Sequence, residues 1–120
     1  MLGILGEGAA MYGIQGLWSA AHHNIAATFV IPNNAQYQIL KIGVMGMDLP
    51  HAKAGIFNGL DLTSPEPDLV GIAKSLGVDA IRIGDPDELC DVLKESFASG
   101  KPRLIDVPIA REVPGRLNYG

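Results

Sequence analysis

The stretch LGILGEG, residues 2–8, and the stretch AATFVIPNN, residues 26–34, decide how this chain folds. Each begins as an apolar run with the length and composition of a buried β-strand, and each ends in polar residues. The first run ends in Glu7 framed by two glycines, and the second ends in the amide pair Asn33-Asn34. About two dozen residues separate the two motifs, which is enough for a helix to cross between neighbouring parallel strands. The spacing therefore predicts a strand–helix–strand unit.

The rest of the chain continues the alternation of strands and helices. Apolar runs predict strands at residues 78–83 and 104–107 and a short helix at 37–44. Three further helices are predicted from apolar stripes, formed by Met11, Ile14, Leu17, Trp18 and Ala21, by Leu69, Ile72, Ala73 and Leu76 before Gly77, and by Leu89, Val92, Leu93 and Phe97 before Gly100. The last of them begins with a capping-box pattern at residues 85–88. This order predicts a three-layer α/β/α fold, with a mainly parallel sheet covered by helices on both faces.

Both polar motifs follow the carboxyl end of a predicted strand, which is where open parallel sheets bind ligands. Glu7 offers a carboxylate, and Asn33-Asn34 offers amide oxygens. Such hard oxygen donors suit Mg²⁺ or Ca²⁺, and Mg²⁺ is often held by a few protein oxygens together with the phosphates of a ligand. The glycines beside Glu7 let the backbone approach a diphosphate because they have no Cβ. The sequence therefore predicts one wall of a metal–diphosphate pocket.

The two motifs and the residues beside them are similar to those of a known family. Gly6-Glu7-Gly8, the run Gly8–Trp18 and the run Asn33–Tyr37 resemble the pyrophosphate-binding domain of thiamine diphosphate enzymes. They resemble the decarboxylase and acetolactate synthase branch, and benzoylformate decarboxylase-like proteins in particular. The similarity runs from Leu2 to Pro108, so the resemblance implies a partial thiamine diphosphate-binding fold.

The resemblance also gives roles to the residues at matching positions. Glu7 stands where the family's first metal carboxylate belongs, Asn34 where the amide ligand belongs, and Gln36 where a backbone carbonyl completes the protein's share of the metal ligands. The residues implied to bind the cofactor are Gly6, Gly8, Ala9, Ala10, Asn34, Gln36, Tyr37 and Ile39. We expect Ala9 and Ala10 to open a helix whose free N–H groups and dipole favour an anion.

Two positions depart from the usual pattern of the branch that the chain resembles. The usual acid there is Asp, and Glu7 is one methylene longer, as in the Gly-Glu-Gly of the 2-oxoacid dehydrogenase branch. Leu40 stands about where pyruvate decarboxylase-like members place a catalytic Glu. No catalytic residue is therefore assigned in this chain. Ile39 and Leu40 are expected to line either an apolar substrate pocket or the core.

The resemblance implies thiamine diphosphate and Mg²⁺ as cofactors and a 2-oxoacid as substrate, in a decarboxylase or an acetolactate synthase-like carboligase. It further implies a homo-oligomer in which the pyrimidine-binding domain of a neighbouring subunit supplies the Glu that activates the cofactor. We therefore expect this chain to bind the cofactor without turnover.

Other readings of the two motifs compete with this one. A non-catalytic, truncated α/β binding domain and a 2-oxoacid dehydrogenase E1-type domain are the alternatives. A dinucleotide-binding domain would need a third glycine near Met11, and an NTPase phosphate loop would need Gly-Lys-Ser/Thr; the sequence has neither.

Composition and charge limit the remaining function classes. The chain has 120 residues, is 48% apolar and carries a net charge of −4, which is typical of globular proteins and argues against a nucleic-acid partner. Its apolar runs are too short to span a membrane, and Cys90 is the single cysteine, so we expect a cytoplasmic protein without disulfides. We expect an N-terminally truncated domain at residues 1–109, followed by a tail at 110–120.

The remaining conspicuous side chains have simpler expected roles. Packing roles are expected for Tyr12, Trp18 and Cys90, and solvent-facing or packing positions at a helix end are expected for His22 and His23. The two histidines are adjacent, so on a helix they point about 100° apart and cannot easily share a metal ion. His51 lies in a glycine-rich loop and is expected either to approach the substrate or to be exposed. Asp106 is expected to pair with Arg103 or Arg82.

Overall fold

The computed structural model describes residues 1–113, and these residues form the predicted alternation of strands and helices. In chain order the elements are β1 (Leu2–Ile4), α1 (Glu7–Ala10), α2 (Gly16–His22), β2 (Thr28–Asn33), α3 (Gln38–Gly46), α4 (Pro50–Lys53), α5 (Leu69–Ser75), β3 (Asp79–Arg82), α6 (Pro86–Ser99) and β4 (Arg103–Pro108). The four strands form one parallel sheet in the order β1-β2-β4-β3. The prediction of a parallel α/β sheet is confirmed.

The described chain divides into two compact units. The first unit contains residues 1–33 and 68–109, and with them the sheet, α1, α2, α5 and α6. The second unit contains residues 34–67 and the segment that begins at Ala110, and with them α3 and α4. The chain passes from the first unit to the second between Asn33 and Asn34, inside the predicted amide motif.

Apolar side chains of the first unit pack on both faces of its sheet. One cluster joins α2 and α5 to the strands through Leu17, Ile31, Leu69, Ala73, Val78, Ala80 and Leu104. The other cluster is formed by Val30, Ile83 and Ile105, which pack against Leu89, Val92 and Leu93 of α6. Successive strand residues point to opposite faces, so Leu104 and Ile105 belong to different clusters although both are fully buried. Helices therefore cover both faces of the sheet, as the three-layer prediction requires.

Local hydrogen bonds begin and end the two best-predicted helices. The Asp85 carboxylate accepts the backbone N–H of Asp87 at 2.9 Å and caps α6, which has Pro86 as its first residue. Gly100 follows the last turn of α6 with φ +65°, a left-handed conformation that glycine adopts without a steric penalty. The Asp68 carboxylate caps α5 in the same way, by accepting the N–H of Gly71 at 2.8 Å.

Pro32 lies inside β2, although a proline cannot donate to the ladder of a sheet. The register explains why β2 tolerates it. The pairing of β1 with β2 runs from Thr28 to Val30, which is opposite Ile4, and so ends before Pro32. Pro32 has a register partner only in β4, at Val107. The missing N–H therefore costs no bond to β1.

The helix predicted over residues 11–21 is interrupted. α1 ends at Ala10 after a single turn, and the next residues form turns until α2 begins at Gly16. The backbone bonds from Gly13 to Ala10 and from Gly16 to Gly13 close three-residue turns rather than α-helical ones. Glycine is the weakest helix former after proline, so the two glycines account for the break. Met11 and Trp18, predicted in the buried stripe, are exposed, and so is Tyr12, which was also expected to pack.

The predicted stripe of α6 is wrong at its last position. Leu89, Val92 and Leu93 pack on the sheet, but Phe97 is exposed and Ser96 is buried in its place. Residues at intervals of three and four share a helix face, so the face that holds Leu89 and Val92 continues at Ser96. Cys90, expected to pack beside the stripe, is exposed.

Candidate functional site

The acidic motif lies where β1 gives way to α1 in the first unit. Gly6 precedes the helix in an extended conformation, with φ −62° and ψ 151°, and Glu7 is its first residue. Glu7 is buried, with only 7% of its surface exposed. Gly8, Ala9 and Ala10 complete the single turn, so Ala9 and Ala10 end the helix that they were expected to open.

Ala9 and Ala10 also line an apolar cavity of about 260 Å³ in the first unit. Leu5, Phe29 and Leu104 contribute to the same cavity. Such a lining suits hydrocarbon rather than a charged diphosphate, because an unpaired charge is costly away from water. The backbone N–H of Ala10 already donates to the Gly6 carbonyl at 2.9 Å. A contact with a phosphate is therefore expected from the backbone N–H of Ala9 rather than from the methyl groups.

Gly6 has no internal reason to be glycine. Its φ is negative, so an ordinary residue can adopt the same backbone conformation. A Cβ placed on Gly6 would meet no heavy atom within 4 Å. The space in front of Gly6 is open, and a ligand that approaches the backbone there would be obstructed by a side chain.

We expect the substitution Gly6→Ala to separate folding from binding. The free energy of unfolding should change by less than about 1 kcal/mol, because alanine restricts the unfolded chain but is less favourable than glycine at the N-cap position that Gly6 occupies. The affinity for thiamine diphosphate should fall by at least about tenfold, which corresponds to about 1.4 kcal/mol. Thermal denaturation and calorimetric titration measure the two quantities.

Gly13→Ala is the matched control for this substitution, since a Cβ at Gly13 also meets no atom within 4 Å and φ is not positive there. It should leave the affinity unchanged. An unchanged affinity in Gly6→Ala would show that no ligand approaches this backbone.

The amide motif begins the second unit. Asn34 and Gln36 are both buried. The Asn34 side chain is fixed at both ends: its Nδ2 donates to Gln38 Oε1 at 2.7 Å, and its Oδ1 accepts the backbone N–H of Gln36 at 3.2 Å. An amide oxygen has two lone pairs, so Oδ1 has the capacity for one more partner, such as a metal ion.

The segment around Gln36 is held against a second stretch of the same unit. Gln36 forms an antiparallel bridge with Asp61, and two backbone bonds flank it, from Tyr37 N–H to Leu60 O and from Leu62 N–H to Ala35 O, both at 2.8 Å. Ala35 has φ +52°, a left-handed conformation that is uncommon for a residue with a Cβ. Strain of this kind persists only where surrounding bonds fix the backbone, and it is frequent at functional sites.

The Gln36 carbonyl, the predicted third metal ligand, belongs to a tight turn. It accepts the N–H of Gln38 at 2.9 Å, and Tyr37 between them has φ −78° and ψ 68°, the geometry of an inverse γ-turn. The second lone pair of the carbonyl oxygen leaves metal coordination chemically possible. The amide and carbonyl donors of this segment are thus the hard oxygens that Mg²⁺ prefers.

Lys41 is a buried member of this region that the sequence analysis missed. Its Nζ donates to Gln36 Oε1 at 2.8 Å and to Asp61 Oδ1 at 2.7 Å, and it lies 5.2 Å from the centre of the Phe57 ring. A lysine is almost never fully buried unless it is paired. Its place between Leu40 and Ile42 in an apolar helix was the available indication.

The electrostatics of this cluster keep Asp61 ionised. The hydrogen bond from Lys41 is the largest influence and lowers the pKa of the Asp61 carboxyl, against a smaller opposing effect of burial; the charges of Lys41 and Arg111 lower it further. Arg111 Nη2 contributes a second ion pair with Asp61 at 2.9 Å. The Asp61 carboxylate therefore remains a negative partner for both basic side chains at neutral pH.

The first described residues of the expected tail also belong to the second unit. The Arg111 carbonyl accepts Gln36 Nε2 at 2.9 Å, and the Glu112 carbonyl accepts Gln38 Nε2 at 2.8 Å. Two side-chain amides of the 34–38 segment thus hold successive carbonyls of the tail. Residues 114–120 of the expected tail lie outside the described residues.

The structure also places Ile39, Leu40 and His51, which the sequence associated with a possible substrate pocket. Ile39 and Leu40 are exposed in the first turn of α3. His51, predicted to lie in a glycine-rich loop, lies instead in the short helix α4, where it is exposed beside a cavity of about 240 Å³ that Phe57 and Asn58 also line. These positions leave the substrate-pocket hypothesis for all three residues as a prediction.

For Asp106 and His22, the contacts in the structure can be compared with the roles expected from the sequence. Asp106 is buried and lies 3.3 Å from Arg82 Nη1, which selects one of its two expected partners. His22 is exposed at the end of α2 and stacks on Trp18 with ring centres 4.8 Å apart, as expected for a surface histidine.

Within residues 1–113, no three His, Cys, Asp or Glu side chains come together in a group that could hold a metal ion. The donor set that the motifs predict does not need such a group, because it combines the single carboxylate of Glu7 with amide and carbonyl oxygens and a ligand's phosphates. None of the helices in the same residues is long and apolar enough to cross a membrane.

Comparison with known proteins gives a consistent result. Residues 1–107 match the family model described as thiamine pyrophosphate enzyme, C-terminal TPP binding domain. A protein of Mycobacterium tuberculosis that carries the name acetolactate synthase large subunit IlvX is 43% identical over 107 residues, covering 86% of this chain and 20% of that protein. Benzoylformate decarboxylase of Pseudomonas aeruginosa is 38% identical over 108 residues, covering 90% of this chain and 19% of that protein.

Solved structures give the same result at the level of the fold. The structure of benzoylformate decarboxylase from Polynucleobacter necessarius aligns with a TM-score of 0.84 and 26% identity, covering 95% of this chain and 20% of that one. The thiamine diphosphate-dependent 4-hydroxybenzoylformate decarboxylase of Rhodococcus jostii aligns with a TM-score of 0.81 and 31% identity, covering 94% of this chain and 20% of that one. The resemblance drawn from the motifs is confirmed, and the chain spans about a fifth of the length of the relatives it matches.

Proposed function

The chain belongs to the thiamine pyrophosphate enzyme family, as its C-terminal TPP-binding domain, and on that premise we propose that it binds thiamine diphosphate through Mg²⁺. The enzyme in question is a 2-oxoacid decarboxylase or an acetolactate synthase-like carboligase. The observation that carries the proposal is the buried Asn34, whose side-chain oxygen is oriented by hydrogen bonds within the segment that directly follows β2. The names of the relatives support the substrate class.

The proposed metal ligands are the Glu7 carboxylate, the Asn34 Oδ1 and the Gln36 backbone carbonyl. Each is buried and each is an oxygen, and Mg²⁺ is typically completed by phosphates and water when the protein supplies only a few donors. Gly6 and Gly8 leave the backbone open to the diphosphate, and Ala9, Ala10, Tyr37 and Ile39 complete the proposed cofactor contacts. This assignment of ligands comes from the motif, and the burial and the donor chemistry are compatible with it.

The residues of this chain bind and orient, and the cofactor carries the reaction. When bound, thiamine diphosphate supplies the electron sink for breaking or making a C–C bond next to a carbonyl. Ile39 and Leu40 present exposed apolar side chains that would receive the side chain of a 2-oxoacid. Leu40 cannot transfer a proton, and the resemblance implies that the Glu that activates the cofactor comes from the pyrimidine-binding domain of a neighbouring subunit in a homo-oligomer.

A second candidate function is binding without catalysis. The chain spans about a fifth of its relatives, and a domain that keeps the cofactor contacts alone would bind thiamine diphosphate without any reaction. The presence of Glu7 in place of Asp also keeps a 2-oxoacid dehydrogenase E1-type domain as an alternative. All of these functions share cofactor binding, which is therefore the property to test first.

We expect thiamine diphosphate to bind the full 120-residue chain only when Mg²⁺ is present. Calorimetric titration with the metal, and again after addition of a chelator, measures this directly. Glu7, Asn34 and Gln36 would hold the metal, whose positive charge would attract the diphosphate, so its removal should abolish the heat of binding. Thiamine without its diphosphate is the matched control ligand and should not bind under either condition. Equal affinity with and without Mg²⁺ would contradict the proposal.

A further inference from the structure

Lys41 is a charged side chain that is buried in the second unit. Only 5% of its residue surface is exposed, and its Nζ contacts Asp61 Oδ1 at 2.7 Å and Gln36 Oε1 at 2.8 Å. Burial of a charged ammonium is unfavourable unless it is paired and hydrogen-bonded. A simple helix-packing position would be filled at lower cost by an apolar residue. The chemistry at Nζ is therefore the property to explain.

The contact that distinguishes Lys41 is the one with Gln36. The Gln36 side chain is held at both ends, since Oε1 accepts from Lys41 and Nε2 donates to the Arg111 carbonyl at 2.9 Å. Its backbone N–H donates to Asn34 Oδ1. The contacts of the Gln36 side chain therefore add to the backbone bonds that hold the Gln36 carbonyl and the Asn34 oxygen in place.

Asp61, the acidic partner of Lys41, does not depend on Lys41 alone for its stabilisation. The side chain of Asp61 is 45% exposed and keeps a second ion pair with Arg111 Nη2 at 2.9 Å. Removal of the Lys41 charge would thus leave Asp61 both solvated and paired, rather than isolated in the interior. Methionine has a similar length and would keep the stem packed beside Phe57. A Lys41→Met chain is therefore expected to fold.

We propose that Lys41 is a positioning residue that holds Gln36, and through it the Asn34 oxygen and the Gln36 carbonyl, in the arrangement that Mg²⁺ requires. The proposal rests on the proposed function, because it assumes that these two oxygens bind the metal. Mg²⁺ demands near-octahedral geometry at about 2.0–2.1 Å, whereas Ca²⁺ accepts six to eight oxygens at about 2.3–2.6 Å in flexible arrangements. Loss of the contact between Lys41 and Gln36 should therefore weaken the binding of Mg²⁺ more than the binding of Ca²⁺.

The test compares Lys41→Met with the parent chain in the metal concentration needed to support thiamine diphosphate binding. With Mg²⁺ that concentration should rise about 10- to 100-fold, the usual effect of losing a partner that orients a ligand. With Ca²⁺ the rise should be smaller, so the preference between the two metals changes. A general loss of folded protein would raise the required concentrations of Mg²⁺ and Ca²⁺ by the same factor. Lys41→Arg, which keeps the charge and several donors, should recover the Mg²⁺ preference at least in part.

Lys53→Met is the matched control, because Lys53 belongs to the same unit but is exposed, with Nζ 3.8 Å from Asp48. It should leave the required concentrations of both Mg²⁺ and Ca²⁺ unchanged. If Lys41→Met does not fold, which circular dichroism detects, Gln36→Met tests the same link, because it removes the side-chain bond and keeps the backbone carbonyl.

The possible outcomes separate this inference from the function on which it rests. Equal losses with Mg²⁺ and Ca²⁺, or no loss in the folded variants, would overturn the role of Lys41 while leaving the proposed function intact. Failure of the parent chain to bind the cofactor with Mg²⁺ would overturn both.

Discussion

Glu7→Ala is expected to abolish the Mg²⁺-dependent binding of thiamine diphosphate while leaving the domain folded. Glu7 is buried as the first residue of α1, and alanine is the best helix former, so the short helix should survive. What disappears is the carboxylate, the one anionic group among the three proposed ligands. Losing a partner that merely orients a ligand costs about 10- to 100-fold in metal affinity, so losing the ligand itself should cost more than about 100-fold.

Calorimetry at saturating Mg²⁺ measures the loss, and near-parental circular dichroism shows that the fold is intact. Glu88→Ala is the matched control, since Glu88 is an exposed acid in the first turn of α6, and it should bind the cofactor as the parent does. Glu7→Gln keeps the shape of the side chain and removes its charge, and it should lose most of the affinity as well. Retention of metal-dependent binding in Glu7→Ala would exclude Glu7 as a ligand.

The double variant of Glu7→Ala with Asn34→Ala tests whether both residues serve one metal ion. If they do, the second substitution should add little to the first, because the ion is already lost. Two losses that simply add would mean that the residues act independently, and the proposed metal site would then be wrong in its composition.

The parallel sheet was predictable because its determinants are local and strong. Consecutive apolar residues at 29–31 and 104–105 place apolar side chains on both faces, and this indicates a strand with helices on each side. The capping of α6 by Asp85 and its termination at Gly100 were also encoded within a few neighbouring residues. The break between α1 and α2 was not predicted, because the apolar stripe continued through Gly13 and Gly16 although the glycines weaken the helix.

The proposed ligand residues of the candidate site could be predicted from the sequence, but the residues that hold them in place could not. Glu7, Asn34 and Gln36 are contiguous with recognisable motifs, so their donor chemistry could be read directly. Lys41 and Asp61 are twenty positions apart, on a helix and in a loop, and no spacing rule joins them. The left-handed Ala35 was hidden for a related reason, since it depends on the bonds that pair residues 35–37 with 60–62.

The isolated chain is expected to self-associate through the edge of its sheet. Within the described residues β1 pairs only with β2, so its other edge offers unpaired N–H and C=O groups. Its apolar side chains are also exposed, Ile4 at 68% and Leu2 at 47%. An apolar strand with a free edge is a template for pairing with another chain, and proteins usually protect such edges with charge, particularly with lysine. The average molecular mass should therefore rise with concentration across the micromolar to millimolar range in light scattering.

Ile4→Lys should suppress this association strongly, because a lysine on the edge must be desolvated before a second strand can pair. Phe97→Lys is the matched control, since Phe97 is 53% exposed on α6, where the backbone bonds are satisfied within the helix. It removes similar apolar surface and should leave the association nearly unchanged. A parent chain that stays monomeric over the whole range would show that the edge of β1 does not recruit another copy. An equal effect of both substitutions would attribute the association to general surface hydrophobicity rather than to strand pairing.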